Sequence, residues 1–184
     1  MKILLYRHAP TKGNRERRYI GWTDEDILPV TLQGDDAVTR VYTSALRRTQ
    51  QTACLLFPRA DIVPCEGLNE MHFGAFEGKN YIEMQDDAAY RAWVDAGCEP
   101  PCPGGEDKAG FIQRVCAAFE SIVAQNLEQD TLHFVVHGGT IRALLSVYAV
   151  PHVDYFDVRT PHLGCQVVEY DPQTRRMTRK EERT

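Results

Sequence analysis

Two segments far apart in the chain, Tyr6-Arg7-His8-Ala9 and Val136-His137-Gly138-Gly139-Thr140, each place a histidine where an apolar stretch gives way to a turn. If both stretches are buried strands of one sheet, they deliver the two imidazoles to the same rim, where ligands of open α/β folds bind. Arg7 accompanies the first histidine. Arg48, in Ser44-Ala45-Leu46-Arg47-Arg48-Thr49, stands in the first turn of a predicted helix whose dipole favours an anion, with Ser44 as its candidate cap. A phosphate ester repels anionic nucleophiles, so a neutral imidazole held against guanidinium groups is a fitting attacking group. Neighbouring cations also favour the neutral imidazole. The chemistry implied is phosphoryl transfer through a phosphohistidine.

Such a reaction needs an acid for the leaving oxygen. The turn-rich stretch Leu68-Asn69-Glu70-Met71-His72-Phe73-Gly74-Ala75-Phe76-Glu77-Gly78 supplies two carboxylates on loops. Glu70 reads as the general acid and Glu77 as a loop brace. Gly138 and Gly139 open a helix directly after His137, with backbone amides free to face an anion. Three weaker patterns carry no site. Gly74 to Lys79 is one residue short of a nucleotide-binding loop and lacks the following Ser or Thr. His133 and His137 lie two pleats apart on a strand, not on one helical turn. Cys98 and Cys102 have no histidine or further cysteine at zinc-finger spacing, so no metal and no cofactor are expected.

These residues need a sheet to position them. Apolar runs predict strands at 2–7, 40–43, 61–64, 131–136 and 165–170, alternating with helices at 45–56, 80–94, 107–127 and 139–149. That alternation favours a largely parallel sheet covered by helices. Phe111, Val115, Phe119, Ile122 and Val123 recur on one helical face and read as core. Gly97–Gly105, rich in proline and glycine, reads as a loop, and the charged segment 173–184 as a frayed tail after a single domain at 1–172. A chain of 184 residues is long enough for one such core without staples. The net charge of -5 argues against a nucleic-acid or anionic-membrane surface. The short apolar run at the amino end implies no secretory signal, hence a cytoplasmic location and six reduced cysteines.

Taken in order, these motifs resemble the histidine phosphatase superfamily, the group that includes cofactor-dependent phosphoglycerate mutases. Arg7-His8-Ala9 resembles its Arg-His-Gly, Ser44–Thr52 its Ser-Pro-Leu-x-Arg-x-x-Gln-Thr, Leu68-Asn69-Glu70 its proton-donor segment, and His137-Gly138 its second histidine. The resemblance implies a three-layer α/β/α sandwich around a mostly parallel sheet. It further implies that His8 attacks phosphorus, that Arg7, Asn14, Arg48 and His137 hold the phosphate oxygens, and that Glu70 protonates the leaving alcohol. Gly21 and Gly138 become candidate substrate-binding positions. Within the superfamily, Arg-Tyr-Ile-Gly-Trp-Thr-Asp (18–24), Glu-Met-His-Phe-Gly (70–74), Pro-Gly-Gly-Glu (103–106) and His-Gly-Gly-Thr-Ile-Arg (137–142) look most like α-ribazole phosphatases of cobalamin assembly. The implied substrate is α-ribazole 5′-phosphate or a phosphorylated cobamide. Another small phosphometabolite, a mutase substrate, or phosphate sensing without turnover are the alternatives, and retention of both His8 and Glu70 favours turnover.

Three departures from the family pattern matter. Ala9 stands where glycine is usual and requires a negative φ, and Ala45 stands for proline. Between Gly34 and Val41 the chain is too short for a full helix and its connections. The sheet there is expected to lose its cover and to be capped by a second subunit in a homodimer, or else by the Gly97–Gly105 loop or the tail.

Overall fold

The computed structural model describes residues 1–183. Six strands form one sheet: β1 (Lys2–Arg7), β2 (Arg40–Thr43), β3 (Asp61–Pro64), β4 (Thr131–Val136), β5 (Cys165–Asp171) and β6 (Arg176–Arg183), in the order β3-β2-β4-β1-β5-β6. The first four in that order are parallel, while β5 runs antiparallel to β1 and β6 antiparallel to β5. The helices are α1 (Lys12–Arg15), α2 (Arg47–Leu56), α3 (Ala88–Asp95), α4 (Lys108–Ala124) and α5 (Gly138–Tyr148). This is the α/β architecture expected from the alternation of strand and helix.

The central strands are apolar on both sides because both faces are covered. Ile3, Leu5, Leu132, Phe134 and Val136 pack into the larger core with Phe111, Val115 and Phe119 of α4 and Ile141, Leu144 and Leu145 of α5. On the other face Val41 and Val135 meet Ala53 and Phe57, the inner side of α2 and its end. The carboxylates of Asp87 and Asp107 cap α3 and α4 by accepting from Ala89 N and Tyr90 N and from Gly110 N, backbone groups of the first turns, which fixes where those helices begin. None of the described helices is long and apolar enough to cross a membrane.

Three expectations are corrected. The segment expected as a frayed tail contains β6, whose residues pair along β5 and bury Met177 completely. Its charges are those of a solvated edge strand, and such charge discourages pairing with other chains. The helix expected over 80–94 is confined to Ala88–Asp95, because Asn80 caps a separate turn through its side-chain oxygen and Asp87 starts the helix proper. The shortened stretch after Gly34 does not leave apolar sheet bare. Val38 is buried with Val41, Ala53 and Phe57, and the gap is a cleft of about 580 Å³ whose lining includes Asp35, Arg40, Asn126 and Gln129. Neither alternative cover lies there: the 103–106 loop packs on His72 and Ala75, and the carboxyl segment follows β5.

Candidate active site

β1 and β4 are adjacent and in register, Arg7 opposite Val136, so each strand's next residue is a histidine at the same rim. The His8 backbone N–H continues the ladder to Val136 O at 3.0 Å. The two rings consequently stand with centroids 5.1 Å apart, tilted by 65°. His8 Nδ1–H donates to Ala9 O at 2.7 Å, which leaves Nε2 unprotonated, with a lone pair that can serve as a nucleophile. Burial holds His8 well below the usual imidazole range, Arg48 adds to that effect, and the bond to Ala9 only partly opposes it. Ala9 stays out of the left-handed region, so the glycine usual at this position is not required, and its N–H donates to Thr52 Oγ1 at 2.9 Å.

His137 is held on both sides. Arg48 Nε donates to its Nδ1 at 3.3 Å, so Nε2 carries the proton and donates to Ser44 Oγ at 2.8 Å. Ser44, expected as a helix cap, accepts instead from Leu46 N and shares a hydrogen bond with Thr49, while α2 itself begins at Arg47 after Leu46. Burial and then Arg48 keep His137 neutral.

Arg48 is 0% exposed. Its Nη1 donates to Thr23 O at 2.9 Å and its Nη2 to Gly21 O at 2.6 Å, so the 20–23 loop lies directly on the guanidinium. Gly21 is therefore part of the site through its carbonyl, and a side chain there would run into Met71 O and Glu77. Arg7 donates Nη1 to Thr160 O at 2.8 Å, and its Nε is buried without a protein partner. Gly138 is where Arg7 lies against the start of α5: a Cβ would sit 3.3 Å from the guanidinium carbon. Asn14 spends its side-chain oxygen on Thr11 N in the capping box of α1, and among the described residues no hydrogen bond joins it to His8, Arg7 or Arg48.

Glu70 lies across the start of α5. Its Oε2 accepts from Gly139 N at 2.9 Å and its Oε1 from Met71 N at 3.0 Å. The anion that the Gly139 amide faces is thus the protein's own carboxylate.

Residues that the sequence did not single out complete the arrangement. Arg114 holds the backbone before Glu70 by donating to Gly67 O and Asn69 O, each at 3.1 Å, and pairs with Glu106 through two bonds of 2.8 Å. Glu106 in turn accepts from His72 N at 2.9 Å. His162 Nδ1–H donates to His8 O at 2.9 Å, and burial, with Arg7 adding, pushes that imidazole down to about 4. A histidine just before β5 was the available signal, since β5 pairs with β1.

Glu77 braces the loop, as the sequence suggested. It accepts from Trp22 N and Phe73 N on one oxygen and from Gly21 N, Thr23 N and Thr23 Oγ1 on the other. Burial works to raise its pKa, but the bonds from Thr23, Phe73 and Trp22 outweigh it and hold the carboxylate below its usual range. Beside Glu70 and Gly139 opens a cavity of about 250 Å³. A second cleft of about 630 Å³ runs past Arg7, Arg142 and Arg159. Among the described residues no three His, Cys, Asp or Glu side chains gather as a metal site.

The site is thus a buried histidine pair at a sheet rim, flanked by two arginines and a loop carboxylate. The sequence model of the histidine phosphatase superfamily (branch 1) matches residues 3–183, and the chain belongs to that superfamily. It is an enzyme of the histidine phosphatase class. Among curated relatives, the 2,3-bisphosphoglycerate-dependent phosphoglycerate mutase of Bifidobacterium longum is 27% identical over 190 residues, covering 79% of this chain and 76% of its own. The putative phosphoserine phosphatase 2 of Hydrogenobacter thermophilus is 26% identical over 157 residues, covering 78% of this chain and 76% of its own. Among solved structures, a putative α-ribazole-5′-P phosphatase from Escherichia coli superposes with a TM-score of 0.87 over 100% of this chain and 96% of that one, at 21% identity, a likeness of fold.

Proposed function

We propose that the protein is a phosphomonoesterase that works through a phosphohistidine on His8, with α-ribazole 5′-phosphate or a phosphorylated cobamide as its substrate in cobalamin assembly. The observation that carries the reading is the state of His8: Nδ1–H is tied to Ala9 O, so a neutral ring offers Nε2 beside Arg7 and Arg48. In the first step the Nε2 lone pair attacks phosphorus, the bond to the leaving oxygen breaks, and Glu70 gives that oxygen a proton. In the second, Glu70 as carboxylate takes a proton from water, whose oxygen attacks phosphorus, and the P–N bond breaks to return imidazole and inorganic phosphate. Arg7 Nε supplies one donor to the phosphoryl oxygens, and Arg48, held in place by the loop carbonyls, supplies another from the Nη1 hydrogen that Thr23 O does not take. Asn14 is assigned to the phosphate through its amide nitrogen, since its side-chain oxygen is taken by Thr11 N.

The α-ribazole assignment draws on the motifs at 18–24, 70–74, 103–106 and 137–142 and on the fold likeness to proteins described as α-ribazole phosphatases. A rapid quench with radiolabelled substrate tests the mechanism. Acid-labile, alkali-stable label is expected on His8, and its absence under confirmed turnover would sink the phosphohistidine. Steady-state hydrolysis of p-nitrophenyl phosphate separates an enzyme from a phosphate sensor. A panel of α-ribazole 5′-phosphate, phosphoserine and 3-phosphoglycerate decides the leaving group.

A further inference from the structure

Among the described residues no hydrogen bond joins Pro103-Gly104-Gly105-Glu106 to His8, His137, Arg7 or Arg48, yet the backbone of this segment is pressed against the turn that carries Glu70. Ala75 N donates to Pro103 O at 2.8 Å and Glu106 N to His72 O at 2.9 Å. The approach is close enough to require glycine on both sides. A Cβ on Gly105 would run into His72 O, and one on Gly74, whose φ is +53°, into Pro103 O. This contact delivers the Glu106 carboxylate to His72 N, which donates to its Oε2 at 2.9 Å.

Arg114 of α4 meets the same turn from the other side, and every N–H of its guanidinium has an acceptor. Nε and Nη2 donate to the two oxygens of Glu106, each at 2.8 Å. Nη1 donates to Gly67 O and Asn69 O, each at 3.1 Å, and the other Nη2 hydrogen goes to Glu70 O at 3.3 Å. A planar fork thus joins one carboxylate to three carbonyls of a single turn, a geometry that an ammonium group cannot reproduce. Single bonds reach the turn as well, from Ala45 N to Asn69 Oδ1 at 2.9 Å and from Thr140 Oγ1 to Leu68 O at 3.2 Å. The Glu70 carboxylate accepts from the backbone N–H groups of Met71 and Gly139, so its position follows that of the turn relative to α5.

We propose that Glu106 and Arg114 are positioning residues for the general acid, and that through Glu70 they set how strongly turnover depends on the leaving group. The inference rests on the phosphatase reading for the role of Glu70. A misplacement of about 1 Å at a reacting group can cost about a hundredfold in rate. The phosphate, by contrast, is met by groups on other elements, Arg7 on β1 and Arg48 on α2. A loosened turn therefore penalises esters according to their need for a proton, alkyl esters most and nitrophenyl esters least.

A series of phosphate esters from nitrophenyl to alkyl measures this dependence as the slope of log kcat/KM against the acidity of the leaving alcohol. Arg114→Lys keeps the charge and loses the fork, and should lower the ratio of alkyl to nitrophenyl kcat/KM about tenfold. Glu106→Gln, which turns an amide donor toward a donor, should move the ratio in the same direction. So should Gly105→Ala, which leaves both charged side chains intact and pushes the loop off His72, so the test does not depend on one variant folding. A turn that merely stabilises the fold would lower all esters by one factor; an unchanged slope in variants with native circular dichroism overturns the proposal. In a Glu70→Gln background Arg114→Lys should have no further effect on the ratio, because residues that act through one group are not additive. A second tenfold loss there overturns the proposal too. If Glu70→Gln alters the slope and Arg114→Lys does not, the positioning role fails and the acid stands. If Glu70→Gln itself leaves the slope unchanged, the acid reading fails and takes the positioning role with it.

Discussion

Glu77 touches none of the reacting groups, yet Glu77→Gln should disable the phosphate site. Its carboxylate collects four backbone N–H groups and one hydroxyl, divided between two oxygens. An amide keeps one oxygen, and whichever way it turns, two backbone N–H groups then face a donor. Hydrogen bonds to a charged acceptor contribute about 1.5–3 kcal/mol each, but Trp22 and Thr23 are exposed and water can replace part of that loss. A net cost of about 2 kcal/mol to the 20–23 loop follows, and the carbonyls of that loop are what orient Arg48. If the whole cost reaches Arg48, kcat/KM falls about thirty-fold, since 1.4 kcal/mol is tenfold. Because the damage acts through phosphate and not through the leaving oxygen, nitrophenyl and alkyl esters should lose equally, and the inhibition constant of inorganic phosphate should rise by the same factor. An unchanged inhibition constant, or a loss confined to alkyl esters, refutes this reasoning. The pH dependence has a definite sign. Since Glu77 has its folded pKa below the ordinary value, its contribution is complete above the unfolded pKa of about 4.3 and is lost as pH falls through the folded pKa. The stability gap between wild type and the Gln variant should therefore stay constant above about pH 5 and close below it.

Glu70→Gln should slow alkyl esters far more than nitrophenyl esters, which need little protonation, and equal losses would contradict a proton-donor role. Gly139→Ala puts a methyl group into the Glu70 carboxylate, so alkyl-ester turnover should drop by about tenfold or more while circular dichroism stays native. His8 and His137 are neutral and buried, so unfolding takes up protons once pH drops below about 6.5, and stability should fall by at most about 1.4 kcal/mol per pH unit for each. Denaturant midpoints between pH 7 and 5 check the slope. Met177→Ala should cost roughly 2–5 kcal/mol, measured by urea unfolding, because its side chain is fully enclosed where β6 closes the sheet.

Where apolar runs ended in a chemically distinctive residue, the sequence was easy to read. His8, His137 and Glu70 lie at ends of strands or in a turn whose type is fixed by neighbouring residues, and β1, β4 and the α4 stripe fell where periodicity placed them. Long-range polar bonds left no such local trace. Nothing near Arg114 indicates that it holds the carbonyls before Glu70, and His162 is marked only by its place just before β5, not by any residue that points to His8 O. Arg48 could be placed beside the two histidines from the sequence, but its engagement by Gly21 and Thr23 could not. β6 was hidden for a different reason: an edge strand with a charged sequence lacks the apolar alternation that marks a half-buried strand, and only Met177 hinted at a buried side.

The distance between His8 and His137 is set by neither side chain. It is the spacing of two hydrogen-bonded strands, roughly 4.8 Å, carried one residue past Arg7 and Val136. The sheet thus works as a ruler for the histidine pair, and the ruler is made of backbone. The groups that would meet the leaving alcohol, in contrast, come from Tyr19, the 66–77 turns, α3 and the turn after it, the starts of α4 and α5 and the 150–160 connection, all outside those strands. Insertions, deletions and substitutions in these connections can exchange one alcohol for another and leave the strand ends untouched. A lineage built this way can diversify in what it dephosphorylates while its reaction stays the same.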